Sequence, residues 1–238
     1  MAKVNVKPQY KNIVKQFDSL TGSRSLWQVF QDCIEACAMA VQNSCEVYPA
    51  RREEYENRYF NIINQYDEKE RQVIVKIFAE LTKILEENPF QDLLGDLYMQ
   101  LNLGSEAQGQ FFTPYNVAQA MAQCVFDEKT VRKEIAEKGC VKLNEPCIGG
   151  GANVIAYLEC MHKAGINYQK NAVIVGQDLS RMSALMSYIV LSLLGCQAVI
   201  KNDDTLCRPY TSFFDEIRST NTMYTPMFVL HRGYIKGV

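Results

Sequence analysis

Between Val141 and Asp204 the chain repeats one arrangement: a short apolar run, a polar or acidic stop, then a helix-like segment. Val141 to Leu143 leads into Asn144-Glu145-Pro146-Cys147-Ile148-Gly149-Gly150-Gly151, Ala172 to Gln177 ends at Asp178, and Ala198-Val199-Ile200 runs into Lys201-Asn202-Asp203-Asp204. Ala152 to Lys163 and Ser180 to Leu194 lie between them with helical spacing. Strand, helix, strand, helix, strand is the pattern of parallel strands joined by right-handed crossovers. The β-branched, almost wholly apolar runs suit strands buried on both faces. The fold class expected is therefore α/β. Its three polar strand ends would share the carboxyl edge, where open sheets of this kind bind ligands.

The glycine run asks what the ligand is. Gly149-Gly150-Gly151-Ala152-Asn153-Val154 supplies two glycines of a dinucleotide fingerprint but places Val154 where the third belongs, which weakens a nicotinamide or flavin reading. The same run would serve any tight turn. An acidic residue, a proline and three glycines between strand and helix nonetheless describe a loop where backbone comes close to a ligand.

Upstream, three regions are expected. Residues 1–24 read as an amino-terminal arm with lysines, Pro8 and a Thr21-Gly22-Ser23 break. Residues 25–104 read as a helical domain. Leu26, Trp27, Phe30, Ile34, Cys37 and Val41 recur at helical spacing behind a Ser25 cap, and Arg51–Gln65, Glu70–Leu85 and Phe90–Asn102 continue it. Trp27, the single tryptophan, is expected in that domain's core. Residues 105–238 form the α/β domain, opened by Gly109-Gln110-Phe111-Phe112-Thr113-Pro114 and a helix from Tyr115, for which Thr113 would be the cap and Pro114 the first residue.

Composition excludes several classes. Apolar residues make up 47% and charged residues 22%, ordinary for a globular chain. A formal net charge of -2 provides no global basic field for nucleic acid, so DNA contact would be local or supplied by a partner. Nine cysteines without a C-x-x-C pair, with only two histidines, argue for reduced buried thiols rather than a disulfide framework or metal site. The start lacks a signal-peptide core and no apolar run would span a bilayer, so a cytoplasmic location without a membrane partner is expected.

Taken in order, Gly109-Gln110-Phe111-Phe112-Thr113-Pro114, Glu145-Pro146-x-x-Gly149-x-Gly151, Gly176-Gln177-Asp178 and Asp203-Asp204-Thr205-Leu206 resemble the motifs of adenine-specific DNA methyltransferases. The chain is most similar in kind to the modification subunits of type I restriction-modification systems. The resemblance covers about residues 90–206 and implies a Rossmann-like S-adenosylmethionine-dependent methyltransferase domain behind a helical amino-terminal region. Carried over by motif, Phe111, Thr113 and Pro114 would line the methionine end of S-adenosylmethionine, Glu145 would attract its ammonium group, and Phe112 and Pro146 would belong to the same cofactor site. Gly149 and Gly151 would admit backbone close to the sulfonium and ribose. Asp178 would accept from ribose hydroxyls and Asp204 from the adenine amino group. Carboxylates suit those donors, whereas a dinucleotide phosphate would face Glu145 as anion to anion.

One motif departs. The family grips its flipped base with an Asn/Asp/Ser-Pro-Pro-Tyr/Phe loop after a fourth strand, and this sequence contains no Pro-Pro pair. The expected counterpart is a strand Met227–Leu230 followed by His231-Arg232-Gly233-Tyr234, with Tyr234 left to stack and His231 as a weak catalytic candidate. Two readings follow from that abbreviated domain. In one the chain methylates the exocyclic amine of adenine in DNA, alone or completed by another chain. In the other it is a non-catalytic, methyltransferase-like protein that partners a modification complex. Both anticipate a homodimer or protein partner at an open sheet edge, placed by sequence at Met227–Leu230.

Overall fold

The computed structural model describes residues 6–103, 112–212 and 219–231. Helices α1 (Lys11–Ser19), α2 (Leu26–Cys45), α3 (Pro49–Ile63), α4 (Glu68–Glu87) and α5 (Leu93–Gln100) form the amino-terminal bundle. Helices α6 (Tyr115–Val125) and α7 (Glu128–Lys138) lead into β1 (Val141–Glu145). The chain continues through α8 (Ala152–Lys163), α9 (Tyr168–Asn171), β2 (Ala172–Asp178), α10 (Arg181–Leu193) and β3 (Gln197–Asn202). A short β4 (Thr222–Tyr224) and α11 (Pro226–His231) follow. No helix among the described residues is long and apolar enough to cross a membrane.

The sheet runs β1-β2-β3-β4, with the first three strands parallel and β4 antiparallel to β3. This is an abbreviated Rossmann-like α/β fold, with α8 and α10 as the crossovers read from the sequence. The period of two sorts the strands. Ile174, Ala198, Ile200 and Met223 face the main core, whereas Val173, Val199 and Tyr224 pack with Phe228 of α11 on the other face. The main core runs without a break from Tyr10 to Met223, so bundle and sheet share it. Capping is conventional: Ser25, Asp67, Asp92, Asp127 and Ser180 each accept from a backbone N–H in the first turn of the helix they open.

Four expectations are corrected. The region read as an arm holds a 3-10 turn at Pro8–Tyr10 and then α1, with Tyr10, Ile13, Phe17 and Leu20 buried. That spacing is a helical stripe, obscured by the intervening lysines. The helix read as Phe90–Asn102 begins at Leu93, because Asp92 caps it through Gly95 N–H. At α6 the helix starts one residue later than read: Pro114 is the N-cap, its carbonyl accepting from Val117 and Ala118, and Thr113 makes no cap bond.

The fourth correction matters most. Met227–Leu230 is helical, not a strand. Thr225 bonds through its hydroxyl to Cys196 O and caps the helix at Phe228 N–H, and Pro226 is preset for the first turn. The terminal strands of the sheet are β1 and β4, and the backbone of β4 is met by the side chains of Arg51 and Gln42. β1 pairs only with β2, leaving its outer edge without a neighbouring strand among the described residues.

Candidate functional site

Three strand ends are tied together at the carboxyl edge. Gly149 N–H donates to Asp178 Oδ2 at 2.9 Å and Ile148 N–H to the Gln177 carbonyl at 2.8 Å, anchoring the glycine turn on β2. Ser180 N–H donates to Asp178 Oδ1 at 2.8 Å. Asp203 N–H and the Asn202 side chain both donate to the Asp178 carbonyl, and the Thr205 hydroxyl reaches Pro146 O at 2.7 Å. Glu145, Pro146, Gly149, Gly151, Asp178 and Asp204 thus share one edge, as the motifs imply.

Each glycine has a local cause. Gly149 and Gly151 hold φ of 56° and 98°, a region that L side chains avoid. A Cβ on Gly149 would also meet the Phe112 ring at 3.3 Å, which places Phe112 over the turn. Gly151 is the N-cap of α8. Phe112 in turn packs edge-on against Tyr98 at 5.4 Å, and Thr113 and Pro114 are exposed at the rim of a cavity of about 740 Å3.

The acids differ in their freedom. Glu145 accepts from Cys147 N–H and from the Asn153 amide, both at 3.3 Å. Asp178 spends one lone pair of each oxygen on the turn and has a second on each for a ligand hydroxyl. Asp203 is held by Arg208 at 2.6 Å, whose hydrogen bond depresses its pKa, so it serves the loop. Asp204 is half-exposed, and bonds from Cys207 and the Leu206 N–H hold its carboxyl below the usual range. A glycine turn flanked by three half-exposed carboxylates fits a ligand rich in hydroxyl, amino and ammonium donors, and does not fit a phosphate.

Phe111 and Tyr234 lie outside the described residues. His231 is not at this edge motif. It ends α11, its Nδ1 3.0 Å from the Met227 carbonyl, after a β4 that runs antiparallel and leaves the sheet beside Ala198 near the start of β3.

Three residues at this edge were not candidates in the sequence reading. Leu179 and Leu206, the second quoted only as part of a motif, follow Asp178 and Asp204 closely and are 76% and 93% exposed. Asp92 lies beneath the turn, where a Cβ on Gly150 would meet its Oδ1 at 2.7 Å. Burial raises the Asp92 carboxyl to about 6. A carboxyl whose folded pKa exceeds its unfolded value of about 4 makes stability fall as pH rises between those values. Asp92→Asn keeps an acceptor for Gly95 N–H and is expected to flatten that fall, leaving the variant about 1–3 kcal/mol more stable at pH 7. Urea unfolding at pH 4 and pH 7 checks this; parallel curves for the two proteins would refute it.

Comparison with known proteins decides the family. The model of the N-6 DNA Methylase family matches residues 90–228. The chain belongs to that family. The matched stretch contains every described residue of the carboxyl edge. A solved structure from Listeria monocytogenes, assigned as a class I S-adenosylmethionine-dependent methyltransferase, is similar at 13% identity and a TM-score of 0.42, covering 94% of this chain and 69% of that one. No curated protein matches the sequence.

Proposed function

We propose that this N-6 DNA methylase relative binds S-adenosylmethionine at the carboxyl edge and serves methylation of the exocyclic amine of adenine in DNA. The observation that carries the reading is the joining of the glycine turn, Asp178 and the Asp203–Thr205 loop by direct hydrogen bonds. Bound S-adenosylmethionine would supply an electrophilic methyl group on its sulfonium. The residues around it would do the holding. Asp178 would accept from the ribose hydroxyls, Glu145 from the ammonium and Asp204 from the purine amino group, with Phe112, Thr113 and Pro114 along the methionine end. Charge-assisted bonds of this kind are the strong ones.

Calorimetric titration with S-adenosylmethionine tests the site, and saturable one-to-one binding is expected. Absence of heat at millimolar ligand would sink the reading and leave the motifs as scaffold.

The amine of a target base needs an acceptor and a stacking surface, and His231, at the end of α11 behind the antiparallel β4, is not placed at the carboxyl edge to supply the first. The proposal therefore includes a second polypeptide that completes the site and reads the DNA. The place for it is the outer edge of β1, where an extended segment could add to the ladder. Met121 and Val125 of α6, 50% and 71% exposed, line a groove beside Leu143 there. Should a chain that sediments as a monomer at micromolar concentration methylate adenine-containing DNA unaided, the partner is unnecessary. The non-catalytic reading rests on the same departure at His231, and a transfer assay with candidate partners present separates the two.

A further inference from the structure

On the α10 side of Asp178 lies a second cavity, of about 540 Å3, with walls from both parts of the chain. Trp27 of α2 and Tyr98 of α5 face Asp178, Leu179 and Arg181 across it. Trp27 is 47% exposed, which corrects the expectation that it anchors the core. Exposed indole and leucine faces flanking one carboxylate are the make-up of a small-molecule site, apolar walls with few polar groups.

The walls are held in place. Arg181 Nη2 donates to Glu35 Oε1 at 2.6 Å, tying the start of α10 to α2 eight residues beyond Trp27. Tyr98 sits edge-on between Phe30, at 5.7 Å, and Phe112, at 5.4 Å, and Phe112 covers Gly149. Trp27 and Tyr98 line the same cavity, so the bundle presents indole and phenol together on that wall. An aromatic series thus runs from α2 through α5 to the glycine turn.

We infer that Trp27 is a positioning residue for the nucleoside end of the cofactor: the bundle supplies an indole face for the purine while Asp178 holds the ribose. The inference rests on the reading that Asp178 faces S-adenosylmethionine. Purine on indole is a stacking contact whose loss weakens binding about tenfold or more.

The test uses the full chain and S-adenosylhomocysteine, followed by calorimetry and by the emission of the single tryptophan. The expected result has four parts: a saturable emission change matching the calorimetric isotherm, about tenfold weaker binding by Trp27→Ala, affinity within about threefold of wild type for Trp27→Phe, and unchanged thermal unfolding in both variants. Wild-type binding with no emission change, or with Trp27→Ala binding equally well, overturns the inference and leaves the cofactor site standing. No binding by wild type removes the cofactor reading and this inference together. If Trp27→Ala fails to fold, the wild-type emission and Trp27→Phe decide alone.

Discussion

Asp178→Asn is expected to weaken S-adenosylmethionine binding by tenfold or more and to destabilise the fold as well. The carboxylate accepts Gly149 N–H on one oxygen and Ser180 N–H on the other. Asparagine has a single oxygen, so whichever way its amide is turned, an NH2 group confronts one of those two N–H donors. One bond is lost and a part-buried donor is left facing another, a cost of about 1–3 kcal/mol in unfolding free energy. The cofactor loses a charge-assisted acceptor at the same time, about 1.5–3 kcal/mol for each hydroxyl bonded, and each 1.4 kcal/mol is about tenfold in affinity. Calorimetry and urea unfolding on the same preparation separate the two effects. Reduced stability with full affinity would make Asp178 a loop anchor only and would take it out of the site.

The sheet was readable because parallel strands advertise themselves: Ala172–Asp178 is almost wholly apolar and ends on an acid, and the crossover α8 occupies the residues expected of it. The carboxyl edge was readable for the same reason, since topology alone brings successive strand ends together. What the motifs could not show is the division of labour among the acids. Asp203 and Asp204 are adjacent and chemically alike, yet Arg208, five residues beyond Asp203, holds only that one in an ion pair.

Two Thr-Pro pairs show why helix starts misled. At Thr113-Pro114 the proline is the N-cap and the threonine is idle, whereas at Thr225-Pro226 the threonine caps and the proline opens the helix. The local signals are equal; tertiary contact decides, because the Thr225 hydroxyl is also drawn to the Cys196 carbonyl at 2.6 Å. That choice made Met227–Leu230 helix rather than strand, so the edge expected there is not formed by those residues. Trp27 was misplaced for a related reason. Helical periodicity assigned it to an apolar stripe, but the stripe's edge faces a cleft whose other wall lies about 150 residues away in sequence.

Arg51→Ala is expected to cost about 3–5 kcal/mol of stability, the magnitude of breaking a buried ion pair from one side. The side chains of Arg51 and Glu46 are each 4% exposed, and Arg51 Nε lies 2.9 Å from Glu46 Oε2. The guanidinium also donates to the carbonyls of Ser219 and Thr222 and to the Tyr55 hydroxyl, so it binds α3 to β4. Removing it takes away the countercharge of the Glu46 carboxylate, leaving it to the Gln42 amide and the N–H groups of Val47 and Tyr48, and leaves those carbonyls short of a donor. Lysine would keep the charge but lose the planar fork that serves several acceptors, so Arg51→Lys should fall between wild type and alanine. Arg51→Met combined with Glu46→Gln removes both charges and should cost less than Arg51→Ala alone, because no buried charge is left unpaired. Denaturant midpoints for the four proteins test this ordering, and a double variant no better than alanine would place the cost in packing rather than charge. The consequence reaches the site through β4: its ladder holds Lys201 and Ile200 of β3, the strand that delivers Asp203 and Asp204 to the carboxyl edge. A contact between α3 and β4, far from any motif, thereby supports the strand that leads into Asp203 and Asp204.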